Sequence, residues 1–158
     1  MERIDSLMKH QAYLQLMDHI AAKERGRRFC RHGLDHSLDV ARIAHILNLE
    51  GSCGYARDVI YAAALLHDVG RGLLDAIEPH HITSAAFARR VLPEAGFDPE
   101  ETEEIAKAIF AHHEAGSTQG ALADLLYRAD KLSRRCFECE MYEECYWPED
   151  RKNHVVSY

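Results

Sequence analysis

The residues best equipped for chemistry are His67 and Asp68, which close the run Val59-Ile60-Tyr61-Ala62-Ala63-Ala64-Leu65-Leu66-His67-Asp68. Apolar residues lead straight into an imidazole and a carboxylate. A charged Asp carried into an apolar setting is costly unless something pairs with it. A divalent cation is one such partner, because it accepts imidazole nitrogen and carboxylate oxygen together. The alternative is a plain helix end, with a hydrogen-bonded core histidine and a capping aspartate. The run is shorter than the roughly 20 residues of a membrane span and reads as a helix buried on all sides. Val69-Gly70 stops it just past the pair.

Other elements must carry any further ligands, and the pattern supplies them. Ile4, Leu7, Met8, Leu14, Met17 and Ala21 recur at helical spacing, so the first helix runs to Glu24-Arg25-Gly26, with His10 and His19 on its surface. A second helix starts near Gly33-Leu34-Asp35 and sets His36 on the stripe of Val40, Ile43, Ala44 and Leu47. The helix ending at His67-Asp68 is the third and begins near Gly54. Pro79 opens a fourth, whose stripe is His80, Ser84, Phe87, Ala88 and Val91. Asp98 caps a fifth, which places Ile105, Ala108, Ile109 and His112 on one face. The polar segment from Glu114 to Gly120 is a loop, and a sixth helix carries Leu122, Leu125, Leu126, Ala129 and Asp130. No stretch alternates strictly, so the expected fold is all-α, a bundle of about six main helices over residues 1–135.

His36, His80, His112 and Asp130 are thus each the polar member of an apolar stripe. Four independent buried side chains would need four separate hydrogen-bond partners, whereas one shared centre accounts for them together with His67 and Asp68. Three or four His with two Asp suit zinc, manganese, iron or nickel, and a carboxylate can bridge two ions about 3.5–4 Å apart.

In order and spacing, His36 in His36-Ser37-Leu38-Asp39, the pair in Leu65-Leu66-His67-Asp68-Val69-Gly70, and Asp130 in Arg128-Ala129-Asp130-Lys131 resemble the HD superfamily of metal-dependent phosphohydrolases. His80 and His112 match the two extra histidines of members with a two-metal centre. The likeness covers roughly residues 30 to 135. It implies that Asp68 bridges two cations, with His36, His67 and Asp130 on one and His80 and His112 on the other. It also implies that a water between them attacks phosphorus, with Arg71 and Lys131 offsetting charge on the phosphoryl oxygens. Arg71 stands where the family often has Lys; both are cationic, but Arg offers a planar fork to phosphate oxygens. The order of ligands is most similar to that of bacterial dinucleoside tetraphosphate hydrolases. The Gly-Tyr-Pro signature of the cyclic-dinucleotide branch is missing from the corresponding loop. His81 and His113, neighbours of two ligands on their helices, are expected beside the centre or at its rim. His32, four residues before His36, faces either substrate or solvent. A non-catalytic, metal-bound sensor or interaction domain is the competing function.

Composition bounds the partners. A chain of 158 residues is one domain by size. A net charge of −7 favours a small phosphorylated substrate, such as a nucleotide, over nucleic acid, although eleven histidines make that charge pH-sensitive. Arg25, Arg27, Arg28, Arg31 and Arg42 form a basic cluster that is either a phosphate-binding surface or a solvated face. The N-terminus lacks the basic-then-apolar pattern of a signal peptide, so the expected location is the cytoplasm, with no membrane partner. There thiols stay reduced. The tail, residues 136–158, holds Cys136, Cys139 and Cys145 in a C-x₂-C-x₅-C run. With Cys30 as a fourth ligand they make a candidate structural site for zinc or an iron–sulfur centre, pinning the tail over the catalytic end of the bundle. Reduced thiols in a loosely held tail are the alternative, and Cys53 is the less suitable fourth ligand.

Overall fold

A computed structural model describes residues 1–74, 76–113 and 121–158. Their seven α-helices are α1 (Glu2–Lys9), α2 (Gln11–Lys23), α3 (Leu34–Glu50), α4 (Arg57–Leu66), α5 (His80–Val91), α6 (Pro99–Ala111) and α7 (Leu122–Leu132), and no strand occurs among them. The all-α expectation holds. The loop expected from Glu114 to Gly120 lies outside the described residues.

The first expected helix is two. His10 is extended (φ −64°, ψ 123°) and its ring accepts a hydrogen bond from the Ala12 amide, ending α1 and capping α2 in one residue. The break rotates the apolar stripe. Tyr13, Leu16 and Ile20 are buried, while Leu14, expected inside, is 48% exposed.

Helix α4 is the axis of the bundle and packs against α1, α3, α5, α6 and α7. From Val59 to Leu66 every residue but Tyr61 is buried, and the small Ala62-Ala63-Ala64 lets neighbouring helices approach closely. Asp98 caps α6 by accepting from the Glu101 amide, while Glu101 returns a bond to the Asp98 amide, as the sequence expects of an acidic first turn. Arg3 ties α1 to both α4 and α6 through Asp58 and Glu101.

After α7 the character changes. Residues 133–158 contain no α-helix, only short turns such as the 3₁₀ turns Cys136–Glu138 and Glu149–Arg151, and contribute no hydrophobic side chain to the buried core. The Asn153 amide donates to the carbonyls of Lys131, Leu132 and Arg134, satisfying acceptors left open where α7 ends.

Candidate metal centre

A helix ends with carbonyls that have no intrahelical donor. At the ends of α4 and α6 a histidine supplies one. His67 is the C-cap of α4 and its Nδ1 sits 2.6 Å from the Ala64 carbonyl; His112 is the C-cap of α6 and its Nδ1 sits 2.5 Å from the Ile109 carbonyl. A carbonyl only accepts, so both rings carry their proton on Nδ1 and present the Nε2 lone pair to the interior. The rings meet edge to face, centroids 5.2 Å apart.

His36 is fixed in the same tautomer by a different route. Ser133 donates its one hydroxyl proton to the Asp130 carbonyl at 2.9 Å, so at 3.3 Å its oxygen accepts from His36 Nδ1–H. His36 Nε2 then faces Asp130 Oδ1 at 3.5 Å and Asp68 Oδ2 at 3.9 Å. The Nε2 atoms of His36 and His67 are buried without any hydrogen-bond partner. Orphaned, inward-facing imidazole nitrogens beside two carboxylates are what a transition-metal ion requires of its ligands.

Asp68 divides its oxygens between two groups. Oδ2 lies 3.4 Å from His67 Nε2, while Oδ1 lies 3.0 Å from His80 Nε2 and accepts from Arg71 Nε at 2.8 Å. Gly70 makes this approach possible. A Cβ there would overlap the His80 carbonyl and the Thr83 hydroxyl, and its buried amide donates to Ser84 Oγ at 2.8 Å. The turn after Asp68 is thereby pressed onto the start of α5, which brings His80 to the carboxylate.

Among the described residues, three triads hold ligand atoms within 4.8 Å of one another: His36–His67–Asp130, His67–Asp68–His112 and His80–His112–His113. All six metal ligands expected from sequence therefore converge. His113 stands beside them at the exposed rim, as expected, with its Nε2 2.8 Å from that of His80, close enough to join the third triad. Helix α6 stops at Ala111, so the 100° turn between successive helical side chains does not apply to His112 and His113.

Protonation states match coordination. Burial, reinforced by the neighbouring His67, pushes His36 down to about 4 and His112 to about 3; burial and His80 take His113 to about 4. For Asp130 burial acts upward, but His67 and Lys131 prevail and hold it at about 2. Asp68 feels the same opposition and sits well below the ordinary carboxylate range, drawn down by His67, His80 and Arg71. Neutral imidazoles and ionised carboxylates are the ligand forms that bind metal.

The centre opens into a cavity of about 910 Å³ lined by His36, Asp68, His112, His113 and Asp130. Arg71 reaches it with one edge on Asp68 and its other nitrogen 3.1 Å from His80 Nε2, and Lys131 lies against Asp130 at 2.5 Å. Of the basic cluster, Arg27, Arg28, Arg31 and Arg42 line the cavity, with Arg134 from the tail; Arg25 does not. His32 also lines it. Glu24 holds its backbone amide at 2.7 Å and its Nδ1 at 2.5 Å, leaving Nε2 3.9 Å from Asp68 Oδ2. Cys30, Cys136, Cys139 and Cys145 share this cavity, yet among the described residues no cysteine belongs to a triad within 4.8 Å.

Sequence reasoning passed over Ser133 and Glu24. Ser133 had a signal, standing three residues after Asp130 and so on the same helical face. Glu24 had none, since only the folded connector after α2 brings it to His32.

The HD domain family model matches residues 33–135, a span that begins just before His36 and ends just after Ser133. An uncharacterized protein of Clostridium beijerinckii is 38% identical over the full length of both chains. A ribonuclease Y of Oleidesulfovibrio alaskensis is 34% identical over 66% of this chain, and a bifunctional uridylyltransferase/uridylyl-removing enzyme of Cereibacter sphaeroides is 42% identical over 52%. The matched segments make up only 18% and 8% of those two proteins. A crystal structure titled as a predicted HD superfamily hydrolase, from an uncultured Thermotogales bacterium, shares the fold: TM-score 0.64, 22% identity, 94% of this chain and 86% of that one.

Proposed function

Because this chain belongs to the HD domain family, we propose that its clustered histidines and aspartates are the centre of a metal-dependent phosphohydrolase acting on a nucleotide or another small phosphoester. The observation that carries the reading is the pair of buried, unpartnered Nε2 atoms of His36 and His67, aimed at the carboxylates of Asp68 and Asp130. Divalent ions held by His36, His67, Asp68 and Asp130, and by His80 and His112 with His113, would supply Lewis acidity and a water acidic enough to attack phosphorus near neutral pH.

The protein's own groups set the rest. Asp68 offers one oxygen to each ligand set, and Ser133, the Ala64 carbonyl and the Ile109 carbonyl fix the tautomers of three imidazoles. Arg71 and Lys131 stand at the mouth of the centre, where their charges favour the extra negative charge that develops on phosphoryl oxygens. The arginines of the wall attract a polyanion although the whole chain carries −7. Tyr146, exposed on the same wall and backed by the stacked Trp147 ring, gives a base a surface to stack on.

The likeness of ligand order to dinucleoside tetraphosphate hydrolases puts dinucleoside polyphosphates first among substrates to test. The ribonuclease and uridylyl-removing names of two relatives add short RNA and nucleotidyl esters. Phosphate release or phosphodiester cleavage across such a panel, with Mn²⁺ or Fe²⁺ added to metal-stripped protein, tests the reading. Turnover that depends on the ion and stops with a chelator is expected. Metal binding without turnover of any member would instead support a sensor domain.

A further inference from the structure

The tail poses a physical problem that the metal centre does not solve. Twenty-six residues that contribute no hydrophobic side chain to the buried core lack the packing that would hold them, and short segments of this kind often depend on a covalent or metal cross-link. Four of the five cysteines stand on one cavity wall in this region.

The local backbone places Cys136 and Cys139 on one turn and brings the segment of Cys30 against that of Cys145. The 3₁₀ turn Cys136–Glu138 closes with the Cys139 amide donating to the Cys136 carbonyl at 3.2 Å, and side chains at i and i+3 eclipse on a 3₁₀ turn. Two further turns lead on, Tyr142 amide to Cys139 carbonyl and Cys145 amide to Tyr142 carbonyl. Cys30 reaches this unit from the connector between α2 and α3. Its preceding residues dock on both sides of Cys145. Arg28 makes a two-pronged ion pair with Glu144 at 3.1 and 3.0 Å, and Phe29 meets Tyr146 edge-on with centroids 6.1 Å apart. Arg27 Nε donates to the Cys30 carbonyl at 2.6 Å and fixes its backbone.

Spacing then discriminates between kinds of centre. A single tetrahedral zinc with bonds of about 2.3 Å holds its four sulfurs about 3.8 Å apart. Among the described residues no three cysteine sulfurs gather even within 4.8 Å, and all four thiols are free. A polynuclear cluster distributes its thiolates over several iron atoms and so accepts a wider set. We propose that Cys30, Cys136, Cys139 and Cys145 ligate an iron–sulfur cluster that fastens the tail to the α2–α3 connector and so completes the wall of the substrate cavity.

The test uses the full-length chain, purified without oxygen and reconstituted with ferrous iron and sulfide. Wild-type protein is expected to retain several sulfides, about four for a [4Fe–4S] centre, with broad visible absorption bleached by dithionite. Cys139→Ser is expected to lose most of the acid-labile sulfide, and Cys53→Ser to lose none. Asp68→Ala separates the two centres, since it should lose ions from the histidine cluster yet keep its sulfide. Wild-type protein that retains no acid-labile sulfide would overturn the proposal without recourse to any variant. So would one zinc per chain, without sulfide, that disappears in Cys139→Ser.

Discussion

Two regions border the same cavity and are built by different means. The histidine–aspartate centre is rooted in the helical core: His67 and His112 are themselves helix caps, and Leu65 and Leu66 before the one and Ala108 and Ile109 before the other are buried. The wall opposite, residues 133–158, adds no hydrophobic side chain to the core and rests on ion pairs, ring contacts and the Asn153 cap of α7. Ligands of a reactive centre must not drift, so their positions are coupled to global stability. A wall that meets substrate can be held locally and can change without unfolding the bundle.

That contrast breaks first at Asp68. Asp68→Ala removes the carboxylate shared by both ligand sets and should lower metal-dependent hydrolysis on the order of 10³-fold. His10→Ala, on the far break between α1 and α2, should leave turnover unchanged. Equal rates for the two would remove Asp68 from the chemistry.

Stability sharpens it next. Leu66, fully buried beside His67, should cost about 2–5 kcal/mol when cut to alanine, read from urea unfolding. Trp147, whose ring lies 3.9 Å beneath the Arg134 guanidinium, should cost under about 1 kcal/mol as Trp147→Ala while raising KM. If Trp147→Ala destabilised as much as Leu66→Ala, the tail would be part of the core after all.

Ser133→Ala should weaken metal binding about 10–100-fold by freeing the His36 ring, with little change in melting temperature. Competition with a chelator of known affinity measures it. Unchanged affinity would show that His36 is oriented by packing alone.

On the far side of the core, Arg3 lies over the Phe97 ring at 4.2 Å and pairs with Asp58 at 2.7 Å. Arg3→Ala should cost about 1 kcal/mol near neutral pH. The hydrogen bond from Arg3 holds the Asp58 carboxyl below its ordinary value. Its stabilisation is therefore complete above the unfolded value of about 3.9 and is lost as pH falls through the depressed folded value. The gap between Arg3→Ala and wild type should narrow below about pH 4. A gap that stayed constant to lower pH would mean that the loss reflects packing on Phe97 and not the ion pair.

The sequence disclosed the centre because its ligands obey helical periodicity. His36, His80 and Asp130 stand on stripes, and His67 and His112 end them, so a pattern of apolar neighbours was enough to turn all five inward. It loses its hold where the helix itself stops. His113 follows the C-cap of α6 and escapes the periodicity; His10 interrupts a stripe that looked continuous, which is why Leu14 faces solvent. Glu24 reaches His32 only through the path of an irregular connector, for which composition has no rule. The cysteine spacing was visible, whereas the docking of Arg28 and Phe29 around Cys145 was not, because it joins segments more than a hundred residues apart.

Anomalous diffraction from crystals soaked in Mn²⁺ tests the centre most directly. One ion is expected within about 2.0–2.3 Å of His36, His67, Asp68 and Asp130, and a second beside Asp68, His80 and His112 with His113 in reach. Density showing these side chains turned apart, with no peak shared among them at saturating Mn²⁺, would contradict it.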